Sequence, residues 1–176
     1  MRYLIRILCL ILISNLSADD IEKDLQTQFI LAEPGDTIII PEGLHNIIGT
    51  LSIDGKKNLI IRGSGMDKSI LSFTDQAEVA QVISITNSSN ITLQGFTVRD
   101  AKGDAIKTQY VDGIIFRAIT TEWTGGPKPS NGAYGLYPVQ CTNVLIEFCI
   151  ANGASDAGIY VGQSKDIIVR NSKAFN

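Results

Sequence analysis

The chain is poor in the residues that most often carry chemistry. It has one histidine, one tryptophan, three cysteines and two methionines among 176 residues. Charged side chains are only 19% against 44% apolar, which excludes a disordered or extremely charged chain. Aromatics are 7%, while glycines number sixteen, a balance that suits many short strands joined by tight turns. Positive charge is not in excess: the formal net charge is −3. That argues against a nucleic-acid partner. It also opposes a polyanionic ligand unless local Lys or Arg offsets the repulsion.

Long apolar runs are lacking too. The run over residues 7–13 is short for a membrane span. It follows Arg2 and Arg6 and precedes Ala18, so residues 1–18 read as a secretory signal peptide. The rival reading is an uncleaved anchor. No lipobox-like residues precede Cys9, which opposes a lipoprotein. Export places the remainder in the periplasm or outside the cell, with no stable membrane span after cleavage. The mature chain then carries thirteen basic and eighteen acidic side chains, net −5. Export also permits a disulfide between Cys141 and Cys149, although buried free thiols fit their positions better.

What the chain does have is a repeat. A polar corner followed by alternating apolar residues recurs at Asp36, Asn58, Asn90, Gly113, Asn143 and Asp166, in a unit of 22–23 residues with two longer members. Upstream, Val82, Ala105, Gly135 and Gly158 share one column. Downstream, Phe96, Ile119, Cys149 and Ser172 share another. Three short strands leave no room for a helix in 22 residues, so βα units are excluded. The spacing predicts an all-β chain: a single-stranded right-handed parallel β-helix, residues 33–176, whose equivalent positions stack on successive coils. Asn and Asp suit the corners because they tolerate left-handed turns. Residues 19–32 place Ile21, Leu25 and Phe29 at i, i+4, i+8, which predicts an amphipathic helix capping the first coil. No capping pattern precedes Asn176. The coils are therefore expected to continue in a longer protein, or a protein partner is expected to cover that end.

The segment AEPGDTIIIPEGLH resembles the first coil of the pectin-lyase-like superfamily. The later coils, of the form GI-x-V-x-x-S-x-[ND]-[IV]-x-[IV], resemble its carbohydrate-binding and sugar-hydrolase repeats. The resemblance covers residues 32–176 and rests on scaffold residues. It implies the β-helix, and a polysaccharide as the partner. Alginate epimerases of this fold carry Asp-Pro-His-Asp after a Tyr-Gly-Ile. Here Tyr134-Gly135-Leu136 leads into Tyr137-Pro138-Val139-Gln140, and the single histidine is His45, so that catalytic set is not carried over.

If Ile106, Leu136 and Ile159 face inward, Lys107, Tyr137 and Tyr160 face outward on consecutive coils about 4.8 Å apart. Two tyrosines beside a lysine suit a sugar chain, the lysine pairing with a uronate. The bland alternative is that outward tyrosines simply favour a sheet surface. Gln109, Gln140 and Gln163 lie near the same strand ends. An insertion of about seven residues in the fourth unit carries Trp123, Glu122 and Lys128. Trp123 there either stacks on sugar or pins the loop to the coil. The carboxylates Asp100, Asp104 and Asp156 are candidate acid–base groups alongside Lys107. Asp104 and Asp156 lie two coils apart, too far to share one metal directly. No cofactor is expected, calcium being the ion such carboxylates would suit. An enzyme built this way would be a polysaccharide lyase or glycoside hydrolase. The alternative is a non-catalytic scaffold that binds protein.

Overall fold

A computed structural model describes residues 18–77 and 80–175. The signal-peptide reading lies outside the described residues, apart from Ala18. Among the described residues, helix α1 (Ala18–Leu31) is followed by fifteen strands. The first coil holds β1 (Thr37–Ile39), β2 (Gly43–Asn46) and β3 (Leu51–Asp54). The second holds β4 (Lys57–Arg62), β5 (Ser69–Ser72) and β6 (Gln81–Thr86). The third holds β7 (Ser89–Arg99) and β8 (Asp104–Gln109), and the fourth β9 (Asp112–Glu122) and β10 (Tyr134–Val139). The fifth holds β11 (Thr142–Glu147), β12 (Ile150–Asn152) and β13 (Ala157–Ile159), followed by β14 (Lys165–Arg170) and β15 (Lys173–Phe175). Every strand pairing is parallel and joins equivalent strands of successive coils, which makes a β-solenoid of about five turns.

The register confirms the inward columns. Ile38, Ile61, Leu93, Phe116, Ile146 and Val169 lie opposite one another in turn. So do Leu51, Ile83, Ile106, Leu136 and Ile159. All but the last member of each column, Val169 and Ile159, are buried. Cys141 and Cys149 are free, buried thiols in the same interior, and burial pushes Cys149 up to about 11. The disulfide is therefore absent.

Each coil turns at left-handed residues. Asn58, Asn90, Asn143 and Asp166 have φ between 54° and 56°, and Gly113 has 79°. The Asn90 amide donates to Asn58 at 3.0 Å. Gly113 supplies no side chain to continue this ladder. A Cβ there would lie 2.7 Å from the Asn90 carboxamide oxygen. The Asn143 amide instead donates to Asp112 at 2.8 Å. One assignment needs correcting. Gly35, with φ 106°, stands opposite Asn58 in the corner column, not Asp36. The Asp36 carboxylate instead accepts the Glu33 N–H at 2.8 Å.

Two further left-handed columns were not foreseen. Asn87, Tyr110, Gln140 and Gln163 form one, and Gly95, Ala118, Phe148 and Asn171 the other. The coil geometry imposes this backbone on whatever residue arrives there. Glu147 adds a clasp across coils. It accepts from Arg117 Nε at 2.6 Å and from Arg170 Nη2 at 2.7 Å. These hydrogen bonds, Arg117's first, hold its carboxyl below the usual range.

Helix α1 closes the first coil through Ile21, Leu25 and Phe29, all buried. It also satisfies the exposed edge of β3. The Gln26 carboxamide accepts the Ser52 N–H at 2.8 Å and donates to the Ser52 carbonyl at 3.0 Å, as a neighbouring strand would. Glu22 accepts the Ile48 and Gly49 N–H groups, and Lys56 donates to the helix's terminal carbonyl of Ile30.

Asn90→Ala removes both the tolerated left-handed conformation and a ladder bond, so it is expected to cost about 2 kcal/mol in urea unfolding. Asn90→Gly keeps the backbone freedom and is expected to cost only about half as much.

Candidate functional site

The outer face of the β3–β6–β8–β10–β13 sheet carries the polar and aromatic cluster. Strict alternation would send Tyr137 outward and Tyr134 inward. The chain breaks that alternation at Gly135. Its missing Cβ would lie 2.4 Å from both the Gly158 carbonyl oxygen and the Thr121 hydroxyl, inside the solenoid. Gly158 is equally constrained, with the Ala151 methyl 2.8 Å from its absent Cβ. Gly135 and Leu136 both face the interior, which brings Tyr134 out beside Tyr137.

Three tyrosine rings therefore meet. Tyr134 stacks on Tyr160 with centroids 4.8 Å apart and planes 22° from parallel. Tyr134 and Tyr137 are 4.7 Å apart, and Tyr137 and Tyr160 are 5.3 Å apart. The Lys107 ammonium lies 5.2 Å from the centre of the Tyr137 ring. Tyr137 is opposite Lys107 in register, and Tyr134 continues the row of Asp104.

The electrostatics separates the roles. Asp104 is half-buried, and desolvation raises its pKa above the ordinary 3.8, while the Lys107 ammonium and the Tyr134 backbone N–H pull the other way. The neighbouring Asp156 carboxylate raises the pKa of the Tyr134 phenol, and burial adds to it. Burial raises that of Tyr137, with Tyr160 and Asp104 contributing. The Tyr134 and Tyr137 phenols thus stay protonated through neutral pH. They can donate hydrogen bonds and present faces, but they are no bases.

The structure brings Lys107, Tyr137, Tyr160, Asp104 and Asp156 to one face. Gln140 and Gln163 occupy the left-handed corner at its edge, and Gln109 is opposite Val139 rather than Gln140. Gln109 still reaches Gln140, donating to its side-chain oxygen at 2.8 Å. Asp100 points elsewhere. Its carboxylate accepts the Thr124 N–H at 2.7 Å and the Thr124 and Thr74 hydroxyls. Glu122 is paired with Arg99 at 2.8 Å. His45, in β2, contacts the Pro41 carbonyl, far along the chain from this face.

Trp123 corrects the sugar-stacking expectation. Its indole is only 5% exposed and donates to the Ala101 carbonyl at 2.7 Å. It pins the insertion loop to the coil rather than standing out as a stacking platform for sugar. Tyr134 is the residue that sequence reasoning missed. Its signal was the Gly–Leu pair after it, in register with Gly158–Ile159, which places two consecutive positions inside. Among the described residues, no three His, Cys, Asp or Glu side chains converge as a metal site would require.

Coils of one register, with a polar and aromatic cluster on the outside of one sheet, define a parallel β-solenoid with a candidate surface site. The chain belongs to the family described as "Right handed beta helix region", whose model matches residues 81–176. No curated protein matches it in sequence. Three solved structures share the fold. A protein described as a glycosyl hydrolase from Parabacteroides merdae has 16% identity and TM-score 0.60, covering 80% of this chain and 72% of that one. An alginate lyase from a Paenibacillus species has 15% identity and TM-score 0.66, covering 86% and 63%. A family 28 exopolygalacturonase from Yersinia enterocolitica has 13% identity and TM-score 0.63, covering 85% and 45%. The chain thus spans less than two thirds of the length of the last two.

Asp104→Asn keeps the shape and removes the buried charge. A carboxyl with a raised folded pKa disfavours the folded state once it must ionise. That penalty is absent below about pH 3.8 and complete above the folded pKa. Urea midpoints measured against pH are expected to coincide at acid pH and to favour Asp104→Asn increasingly toward pH 7.

Proposed function

We propose that this is an exported glycan-binding β-helix whose ligand lies on the Tyr134/Tyr137/Tyr160 platform, with Lys107 pairing to an acidic sugar. One observation carries the reading: three tyrosine rings within 4.7–5.3 Å of one another on an outer sheet face beside a lysine. Sugar rings present C–H faces that pack on aromatic faces, and their hydroxyls accept from protonated phenols. The leader pattern of residues 1–18 supports export to the periplasm or beyond. The polysaccharide enzymes named for similar folds support a carbohydrate ligand by analogy of fold.

Binding is better supported than turnover. Lyase chemistry needs a base poised near the operating pH, and the two phenols are pushed the wrong way for that role. Asp104 is the carboxyl best placed for proton transfer, because burial brings its pKa toward neutrality. A second reading, a non-catalytic scaffold for a protein, is favoured by the apolar groove of about 600 Å³ over Ile115, Leu145 and Ile168 on another sheet.

Glycan-array and calorimetric binding decide between them. Polyuronates are expected to bind, and Tyr137→Ala/Tyr160→Ala is expected to weaken binding about tenfold or more at unchanged thermal stability. Failure of every uronate and neutral glycan to bind the folded protein would transfer the reading to the scaffold.

A further inference from the structure

The insertion loop encloses a second pocket that the tyrosine platform does not use. It occupies about 270 Å³ and is lined by Thr74, Asp100, Lys102, Trp123, Thr124 and Lys128, among others. That volume is below the roughly 300 Å³ at which drug-sized pockets begin. It suits a single sugar or the charged substituent of one.

Its charge is unusual for this chain. Two lysines, Lys102 and Lys128, are among its lining residues against one acidic residue, Asp100, while the chain as a whole carries net −3. The carboxylate is already engaged. Asp100 accepts the Thr124 N–H at 2.7 Å, the Thr124 hydroxyl at 2.8 Å and the Thr74 hydroxyl at 3.2 Å. Asp100 thus fastens the loop base, and the lysines remain to meet a ligand. Neither lysine appears in an ion pair among the described residues.

The walls are built firmly. Trp123 is anchored to Ala101. The Asn131 amide donates to the Gly126 carbonyl at 2.9 Å and the Gly153 carbonyl at 2.6 Å. At Gly132 a Cβ would fall 1.7 Å from the Gly103 carbonyl oxygen, so the loop is pressed against the turn that leads into β8. The pocket also adjoins the platform in the chain. Lys102 is two residues from Asp104, at most about 7 Å of backbone. The far end of the loop runs through Ala133 directly into Tyr134.

We infer that this pocket is a subsite for an anionic substituent, a carboxylate or a sulfate, on a sugar next to those held by the tyrosines. The inference rests on the platform reading for the identity of the longer ligand, but the pocket itself can be probed alone. Its two lysines make it selective for acidic over neutral chains. They do so from a loop that only the fourth coil carries.

Trp123 is the only tryptophan and forms part of the pocket wall, so its fluorescence reports occupancy directly. The full chain is titrated with D-galacturonate, D-galactose 6-sulfate and D-galactose, following Trp123 emission. The two anions are expected to give saturable changes and neutral galactose none. Which anion responds more strongly distinguishes carboxylate from sulfate. Lys102→Ala and Lys128→Ala are each expected to weaken the response about two- to fivefold, with Lys128→Arg restoring it. A lysine-dependent response in a protein that binds no longer glycan would uphold the subsite and remove the platform reading. The subsite is overturned if galactose changes the emission as the anions do. It is equally overturned if the anions leave the emission unchanged or their effect survives the Lys102→Ala/Lys128→Ala pair.

Discussion

Everything in this molecule depends on parallel strands that hydrogen-bond in one register from coil to coil. Register makes each position a column, so a choice of residue is repeated five times along the axis. An inward column is mainly apolar, because a polar member needs a partner in the shared interior; Thr108 meets the Cys141 thiol, while the Thr121 hydroxyl has none. A corner column must tolerate a left-handed backbone in every coil, because a coil that turned elsewhere would slip out of pairing with both neighbours. The ends of the stack face the same demand. Helix α1 meets it at the first coil by offering a glutamine carboxamide where a strand's peptide group would be.

The candidate site follows from that constraint rather than standing apart from it. Successive coils each turn two consecutive residues inside, Val82–Ile83, Ala105–Ile106 and Gly135–Leu136, and Gly135 passes so close to Thr121 that no side chain fits there. The tyrosine before Gly135 is thereby delivered to the outer face. The result is a rigid platform of aromatic rings on β-strands, with a half-buried carboxyl and a lysine at its side. The insertion of the fourth coil is fastened by Trp123 and Asp100, so it too presents fixed groups. Both features sit where scaffold and surface meet, and neither requires the chain to move.

How much of this was legible depended on whether the physics left a mark on residue type. Corners at Asn58, Asn90, Asn143 and Asp166 were readable because few residues accept a left-handed turn cheaply. The corners at Tyr110, Ala118 and Phe148 were not, since the register forces that backbone on residues that do not favour it. The first corner was misplaced by one residue because Gly35 and Asp36 are both good turn formers. Lys107, Tyr137 and Tyr160 were readable as one outward row, because alternation by two survives across that strand. Tyr134 was hidden because alternation fails at Gly135. The insertion was visible as extra length, but whether Trp123 turned in or out was not.

The sequence by itself determined the repeat, the three-strand coil, the inward apolar columns and the amphipathic cap, because these are periodic and every repetition reinforces the pattern. Only the tertiary structure decided that Trp123 is a pin, that Asp100 fastens a loop, that Tyr134 joins the platform and that Glu147 is clasped by Arg117 and Arg170. Each of these is a single contact between residues more than twenty positions apart or a local break in alternation. A contact made once leaves no period in the chain, and its direction is set by the packing of neighbours that the chain order does not reveal.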